Sequence, residues 1–149
     1  MDVHADLDAP CPVDVLFDWI DDLARYRQWL DLVRRAEPVA EEEGDPGPAW
    51  SVDLRGSLGP LARVKRLRMV RAEYEVPTAV RFVRREVDGR HHESWELGAS
   101  LAPTPEGCHL RMHLHYGGAL FGPVLDRVLR DEIERSKPRL LELCRAGHT

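Results

Sequence analysis

The sequence predicts one α+β domain in which a curved antiparallel sheet of about seven strands wraps around a long C-terminal helix. Segments with strictly alternating apolar and polar residues, typical of half-buried strands, fill most of the chain between residues 33 and 116. Short turns separate these segments, and consecutive strands joined by short turns pair antiparallel. After Gly117-Gly118 the apolar spacing becomes helical, with one apolar stripe running towards the end of the chain.

The first thirty residues or so predict one strand followed by two short helices. Residues 3–8 alternate between apolar and polar side chains. Pro12 suits the first position of a helix, because proline has no N–H to contribute and its φ angle is already helical. Asp21-Asp22 indicates the cap of the second short helix, which we expect to extend to about Leu30.

About six further strands are predicted between residues 33 and 116. The longest of them runs from about Leu61 to Tyr74. Glycine, proline and acidic residues mark the turns between strands, and Asp88-Gly89 is typical of a tight hairpin. The predicted turns lie at residues 41–48, 56–60, 76–77, 88–89 and 103–107.

Composition restricts the class of protein. The chain of 149 residues fits one domain, residues 1–149, and its 43% hydrophobic and 32% charged residues are an ordinary soluble balance. No apolar run reaches the ~20 residues that span a bilayer, and the N-terminus lacks the features of a secretory signal. We therefore expect a cytoplasmic protein without stable membrane insertion. The net charge of −5 argues against a nucleic-acid-binding domain.

The three cysteines are Cys11, Cys108 and Cys144. They are odd in number and widely spaced, with no C-x-x-C pair. This pattern predicts neither a disulfide framework nor a structural zinc site, and it favours a reducing compartment.

Two segments resemble a known superfamily. Residues 3–10, followed by residues 15–22 and Trp29, resemble the N-terminal signature of the START-related or helix-grip superfamily (SRPBCC, birch-pollen-allergen-like), in its polyketide cyclase/dehydrase and lipid-transport branch. The hairpin at residues 101–110 resembles the family's penultimate turn, with Cys108 where threonine is usual. The resemblance covers nearly the whole chain and implies the helix-grip fold. Its motifs are structural, and members include lipid carriers, polyketide aromatase/cyclases, hormone receptors and co-chaperones, so fold alone does not select a function.

A sheet curled over a helix leaves a wedge-shaped space that either side chains or a ligand must fill. Bulky and flexible residues on the inward faces of the strands are each better explained singly as core packing. Together they suit a pocket that grips a flat apolar ligand. The predicted lining residues from the sheet are Trp50, Phe82, Trp95, Leu97, Met112, Leu114 and Tyr116.

Two polar residues interrupt the apolar stripe of the last helix. At 100° per residue, Ser136 lies near the centre of the stripe and Glu132 lies close to it. A helix packed on a core normally carries leucine at such positions, so these residues indicate the floor of a cavity. The alternative is that Glu132 lies at the edge of the stripe, where it reaches water or pairs with an arginine.

The long predicted strand carries Arg66 and Arg68 on one face. If that face points inwards, the two arginines enter the cavity, where they could bind a carboxylate or polarise a ketone. If it points outwards they are solvated, as arginines on strands usually are. A shift of one residue in register, or a bulge, exchanges the two outcomes, and the sequence leaves both open.

The histidines have the spacing of a metal site but not the position of one. His109, His113 and His115 share one face of a strand, and residues 91–93 add two histidines and a glutamate. H-x-H with a nearby carboxylate can bind zinc. The alternation with Leu110 places these histidines on the solvent-exposed face, where no enclosed site forms, so we expect no metal and no cofactor.

These observations favour binding or transport of a small hydrophobic ligand (a lipid, a fatty acid or a polyketide-like compound) in a cavity between the sheet and the C-terminal helix. The first alternative is an aromatase/cyclase-type enzyme, in which Arg66 or Arg68 polarises a carbonyl and Glu132 or Tyr116 serves as acid or base. The second is a protein-interaction module with a filled cavity. The sequence does not identify the ligand, and it leaves catalysis and oligomeric state, including a homodimer, open.

Overall fold

The structure, a computed structural model, describes residues 1–56, 63–118 and 122–147. These residues form a seven-stranded antiparallel sheet, two short helices and one long helix. The helices are α1 (Val13–Ile20), the 3₁₀ helix η1 (Leu23–Gln28) and α2 (Gly122–Ala146). The strands are β1 (Asp2–Ala9), β2 (Val33–Val39), β3 (Ala49–Leu54), β4 (Lys65–Glu75), β5 (Ala79–Arg84), β6 (Trp95–Thr104) and β7 (Gly107–Tyr116).

The strand order in the sheet is β1-β7-β6-β5-β4-β3-β2, and every neighbouring pair is antiparallel. The first and last strands are therefore neighbours, while β2 to β7 follow one another as hairpins. The long helix α2 packs on one face of the curved sheet, and its apolar stripe of Leu125, Val128, Leu129 and Leu140 is buried there. The predicted helix-grip architecture is confirmed.

The two short helices are joined where the sequence predicts a cap. Asp22 precedes η1, and its carboxylate accepts a hydrogen bond of 2.9 Å from the N–H of Ala24, which satisfies one of the free donors of the first turn. The buried hydroxyl of Tyr26 donates to the carbonyl of Ile20 at 2.7 Å. These bonds fix η1 against the end of α1. Pro12 precedes α1 as its N-cap residue, one position before the one predicted.

The prediction of a tight hairpin at Asp88-Gly89 is wrong. Strand β5 ends at Arg84 and β6 begins at Trp95, so the turn lies inside a longer connection. The pairing of β5 with β4 ends at Arg84. Beyond that point the carboxylate of Glu86 accepts hydrogen bonds from the side chain of Arg84 and from the backbone N–H of Arg68. Strand β4 begins at Lys65 rather than near Leu61. Residues 57–62, which include most of the predicted turn at 56–60, lie outside the described residues.

Two of the cysteines form a disulfide, which corrects the prediction made from their spacing. Cys11, just before α1, is bonded to Cys144 in the last turn of α2, while Cys108 is free and buried. The two partners are 133 residues apart, so no local pattern reveals the pair. Only the packing of α2 against α1 and β1 brings them together.

Within the described residues, no helix is both long and apolar enough to cross a membrane. The buried apolar residues of the sheet and of all three helices form one connected cluster. At one end of the sheet a space remains between these side chains.

Candidate ligand-binding cavity

A cavity of about 90 Å³ lies between α2 and the sheet. Its walls come from η1 and the segment after it, from strands β1, β2, β3, β4, β6 and β7, and from Ile133 and Ser136 of α2. It lies towards the end of the sheet where β3 and β7 end and where β4 and β6 begin. The walls are almost entirely apolar.

Strand pairing explains why these walls are apolar. Leu114 of β7 is paired with Val3 of β1 on one side and with Leu97 of β6 on the other. Met112 is paired with Ala5 and with Ala99 in the same way. Because paired residues of antiparallel strands project to the same face, the alternation in each strand places all of these side chains on the cavity side.

The structure brings five of the predicted site residues together and leaves four others elsewhere in the interior or at its edge. Trp95, Leu97, Met112, Leu114 and Ser136 line the cavity. The buried rings of Trp50 and Phe82 instead pack edge to face, with centroids 5.5 Å apart, and Phe82 also contacts Tyr26. The ring of Tyr116 packs against Trp95, with centroids 4.8 Å apart, and burial raises the pKa of Tyr116. Glu132 lines a neighbouring groove.

Arg66 and Arg68 point away from the cavity. Leu67 and Met69, which have the opposite parity on β4, line it instead. Arg66 pairs with Asp53 of the neighbouring strand, with 2.7 Å between Nε and Oδ1, and 68% of its side chain is exposed. Of the two directions that the sequence leaves open, the outward one therefore holds for both arginines, because alternation along β4 cannot place Leu67 and Arg66 on the same face.

Arg68 neither enters the cavity nor is solvated, the two placements that the sequence leaves open. It is on the outer face, yet only 11% of its side chain is exposed. The acidic segment at residues 41–48 folds over it, and Arg68 donates to both carboxylate oxygens of Asp45 and to the carbonyls of Ala40 and Arg85. Arg68 anchors this segment to the outside of the sheet and does not face a ligand.

Glu132 and Ser136 both lie on the buried side of α2, one turn apart. Ser136 lines the cavity, and its hydroxyl donates to the carbonyl of Ile133 at 2.6 Å. Glu132 is only 4% exposed, and its Oε1 accepts from the guanidinium of Arg135. Burial raises the pKa of Glu132, although Arg135 opposes that shift. The arginine partner predicted as the alternative is present, but the carboxylate is buried all the same.

Two buried side-chain atoms have no hydrogen-bond partner among the described residues, namely Nε1 of Trp95 and Oε2 of Glu132. A buried donor or acceptor without a partner costs about 1–3 kcal/mol, so each such atom in a folded protein needs an explanation. Trp95 lines the cavity and Glu132 lines the groove next to it. Both atoms therefore belong to residues that line one of these two spaces, but the atoms themselves are covered by neighbouring side chains.

Thirteen of the residues that line the cavity were not among the predicted site residues, and four of them illustrate why. Tyr26, Trp29 and Leu30 come from η1 and the residues after it, and Met69 comes from β4. The helical spacing of Tyr26 with Trp29 and Leu30 identifies them as buried, but not as neighbours of this cavity. Met69 could not be predicted, because the sequence does not show which face of β4 points inwards. The two methionines in the walls, Met69 and Met112, have flexible and polarisable side chains.

The histidines of β7 lie on the outer face, as predicted. His109 contacts the carboxylates of Asp6 and Asp8 across the β1–β7 pair, and these contacts raise the pKa of His109. His113 and His115 contact Asp2 in the same way and lower the pKa of Asp2 to about 2. In the part of the chain that the structure describes, no three His, Cys, Asp or Glu side chains are arranged to hold a metal ion.

The arrangement suits binding better than acid–base chemistry. Among the described residues, no Asp, Glu, His, Lys or Arg lines the cavity. The hydroxyl of Tyr26 is already committed to the carbonyl of Ile20, and burial raises the pKa of Tyr26 far above its ordinary value. The cavity walls thus offer an almost entirely apolar contact surface.

Solved structures with the same fold include several proteins of low sequence identity. A START superfamily protein from Mycobacterium smegmatis is 13% identical and has a TM-score of 0.73, with 97% of each chain covered. The protein TTHA0849 from Thermus thermophilus is 19% identical, with a TM-score of 0.68 and coverage of 99% of this chain and 96% of the other. The di-domain ARO/CYC StfQ from the steffimycin biosynthetic pathway is 17% identical, with a TM-score of 0.67 and coverage of 98% of this chain and 52% of the other. At these identities the likeness shows the fold alone.

No curated protein matches the sequence. Residues 1–142, however, match the family described as polyketide cyclase / dehydrase and lipid transport. This match spans nearly the whole chain and agrees with the resemblance seen in its N-terminal segments and its last hairpin. The chain therefore belongs to the polyketide cyclase/dehydrase and lipid transport family.

Proposed function

We propose that this protein binds a small hydrophobic ligand in the cavity between α2 and the sheet. The observation that supports this proposal is the apolar cavity itself, which lies under Ser136 at a position where a helix packed on a core normally carries leucine. Burying apolar ligand surface there contributes about 25 cal/mol per Å². The buried indole N–H of Trp95 has no partner among the described residues, so a ligand that carries an acceptor oxygen would satisfy it once the walls move to uncover it.

The size of the cavity restricts the ligand. At about 90 Å³ it is smaller than the ~150 Å³ engineered cavity that holds benzene in another protein, and far smaller than pockets of about 300–1,000 Å³ that hold drug-sized molecules. A short alkyl chain or part of a small ring fits the cavity as it stands. Any larger ligand, from toluene up to a lipid or a polyketide-like compound, requires the walls to move, and the side chains of Met69 and Met112 are the most adaptable parts of those walls.

The aromatase/cyclase alternative has less support. It required an interior arginine to polarise a carbonyl, and Arg66 and Arg68 both pair with carboxylates on the outer face. Its two candidate acids or bases, Glu132 and Tyr116, do not line the cavity. Binding without chemistry needs only the contacts that the walls supply.

The methyl groups of the methionines offer a direct test. Of the three methionines, Met69 and Met112 line the cavity and Met1 does not. We expect toluene to shift the ¹³C-labelled ε-methyl resonances of Met69 and Met112 in a saturable manner, with a smaller change at Met1. Ser136→Leu places a larger side chain in the cavity and should abolish the shifts while maintaining or raising Tm, because leucine also favours a helix more than serine does.

The matched control is Glu134→Leu, an exposed position on the same helix, which should retain toluene binding. Solvent extraction of natively purified protein, followed by mass spectrometry, would identify a ligand that copurifies. If toluene and short alcohols leave both methyl groups unshifted and the extract is empty, the proposal is wrong. The protein-interaction alternative would then be preferred.

A further inference from the structure

A second depression, open to solvent, adjoins the cavity between α2 and the edge of the sheet formed by β2 and β3. It has a volume of about 620 Å³, and its walls are mainly polar. Val33 lines both this groove and the cavity, so the two spaces share a wall. We call it the arginine groove, because Arg27, Arg34, Arg55 and Arg135 all line it.

The arginine groove has more positive than negative charge. Its two carboxylates are already paired, Glu132 with Arg135 and Asp31 with Arg139. Among the described residues, no carboxylate forms an ion pair with Arg27, Arg34 or Arg55, although every Asp and Glu of the chain lies in the described ranges.

Three guanidinium groups that have no ion-pair partner among the described residues therefore line one groove of a chain whose net charge is −5. Such an arrangement repels cations and attracts anions. Glu132 also lines this groove, but it is only 4% exposed and pairs with Arg135, so it supplies no counter-charge to the other three arginines.

We propose that the arginine groove binds the carboxylate head group of an amphipathic ligand whose apolar part occupies the cavity. The planar guanidinium group matches a carboxylate in a two-bond geometry, which makes arginine well suited to this contact. The head group stays in a solvent-open groove and avoids the cost of entering an apolar cavity without a partner. This inference rests on the proposed function and specifies its ligand as a short-chain carboxylic acid.

Two ligands of equal chain length test this inference, hexanoate and hexan-1-ol, each titrated against the methionine methyl resonances at low salt. Charge-assisted hydrogen bonds to arginine are stronger than neutral ones, so we expect hexanoate to bind about tenfold more tightly than hexan-1-ol. Hexylamine should bind more weakly than the alcohol. At about 0.5 M NaCl the advantage of hexanoate should shrink, because exposed charges are screened.

Arg34→Gln and Arg55→Gln should each lower the affinity for hexanoate several-fold and leave the affinity for hexan-1-ol unchanged. Arg127→Gln is the matched control, because Arg127 is an exposed arginine on α2 that does not line the groove. If hexanoate binds no better than hexan-1-ol, or if the groove variants weaken both ligands equally, the inference is wrong and the proposed function stands. If neither ligand binds the unmodified protein, both fail.

Discussion

Arg68 and Asp45 form an ion pair on the outer face of the sheet, with 2.5 Å between Nη2 and Oδ2. The side chain of Asp45 is fully buried by this contact, and Arg85 donates to its other oxygen. The pair connects the acidic segment before β3 to β4. It also holds Arg68 on the face of the sheet opposite the cavity.

We expect Asp45→Asn to lower the free energy of unfolding by roughly 3 kcal/mol or more, because removal of one partner leaves a guanidinium that is shielded from solvent without its counter-charge. Urea denaturation measures this change. Glu37→Gln is the control, since the Glu37–Arg35 pair is more than half exposed on both sides and such pairs contribute about 1 kcal/mol or less. Equal losses in the two variants would contradict the structural role of Asp45.

The same pair should make stability sensitive to acid. Hydrogen bonds from Arg68 and Arg85 hold the pKa of Asp45 well below its ordinary value. Its contribution to stability is therefore complete above the unfolded-state pKa of about 3.9 and is lost as pH falls towards the lower folded-state pKa. The difference in stability between the unmodified protein and Asp45→Asn, measured from pH 6 to pH 2, should decrease only below about pH 4. A difference in stability that stays constant down to pH 2 would show that the carboxylate of Asp45 is not the source of that difference.

The disulfide between Cys11 and Cys144 should be detectable by counting thiols. After unfolding without reductant, one thiol per chain should react, that of Cys108, and after reduction all three should react. Cys144→Ser should lower the free energy of unfolding by about 2–4 kcal/mol, because the link restricts the unfolded chain. Reductant should destabilise the unmodified protein and leave this variant unaffected. Three reactive thiols in unreduced protein would disprove the link.

Glu132 should make the folded state less stable at neutral pH than at mildly acidic pH. Burial raises its pKa above the unfolded-state value of about 4.3, although Arg135 opposes the shift and Asp31 and Asp131 add to it. The folded state therefore binds the proton more tightly, and stability falls as pH rises from the unfolded-state pKa through the folded-state pKa. In Glu132→Gln this part of the pH dependence should disappear, so Tm should change less between pH 5 and pH 8. An identical dependence of Tm on pH in both proteins would contradict the raised pKa of Glu132.

Trp95→Phe tests the unpartnered indole N–H without removing the aromatic ring that packs on Tyr116. The unmodified protein should bind anisole about three- to tenfold more tightly than toluene, since the ether oxygen accepts a bond worth about 0.5–1.5 kcal/mol. The variant should bind both with similar affinity. Toluene serves as the control for the change in cavity size, because it has no acceptor. An unchanged preference for anisole would show that Trp95 is not its donor.

The order of the elements and the faces of most strands follow from the sequence alone. On β7, Leu110 and Met112 are apolar while His109 and Arg111 are polar, so alternation allows only one face of the strand to be buried. That face is the buried one in the structure. The stripe that places Ser136 and Glu132 on the buried side of α2 follows in the same way from helical spacing. These features are local, because each depends on residues within a few positions of one another.

The direction of β4, the disulfide and the set of residues around the cavity depend instead on how the elements pack together. Both faces of β4 carry arginines next to apolar residues, so alternation alone does not choose between them. The choice depends on Asp45 and Asp53, which reach Arg68 and Arg66 from distant parts of the chain. Cys11 and Cys144 meet for the same reason, across 133 residues. Such contacts depend on how complete elements pack, and this information is not present in any short window of the sequence.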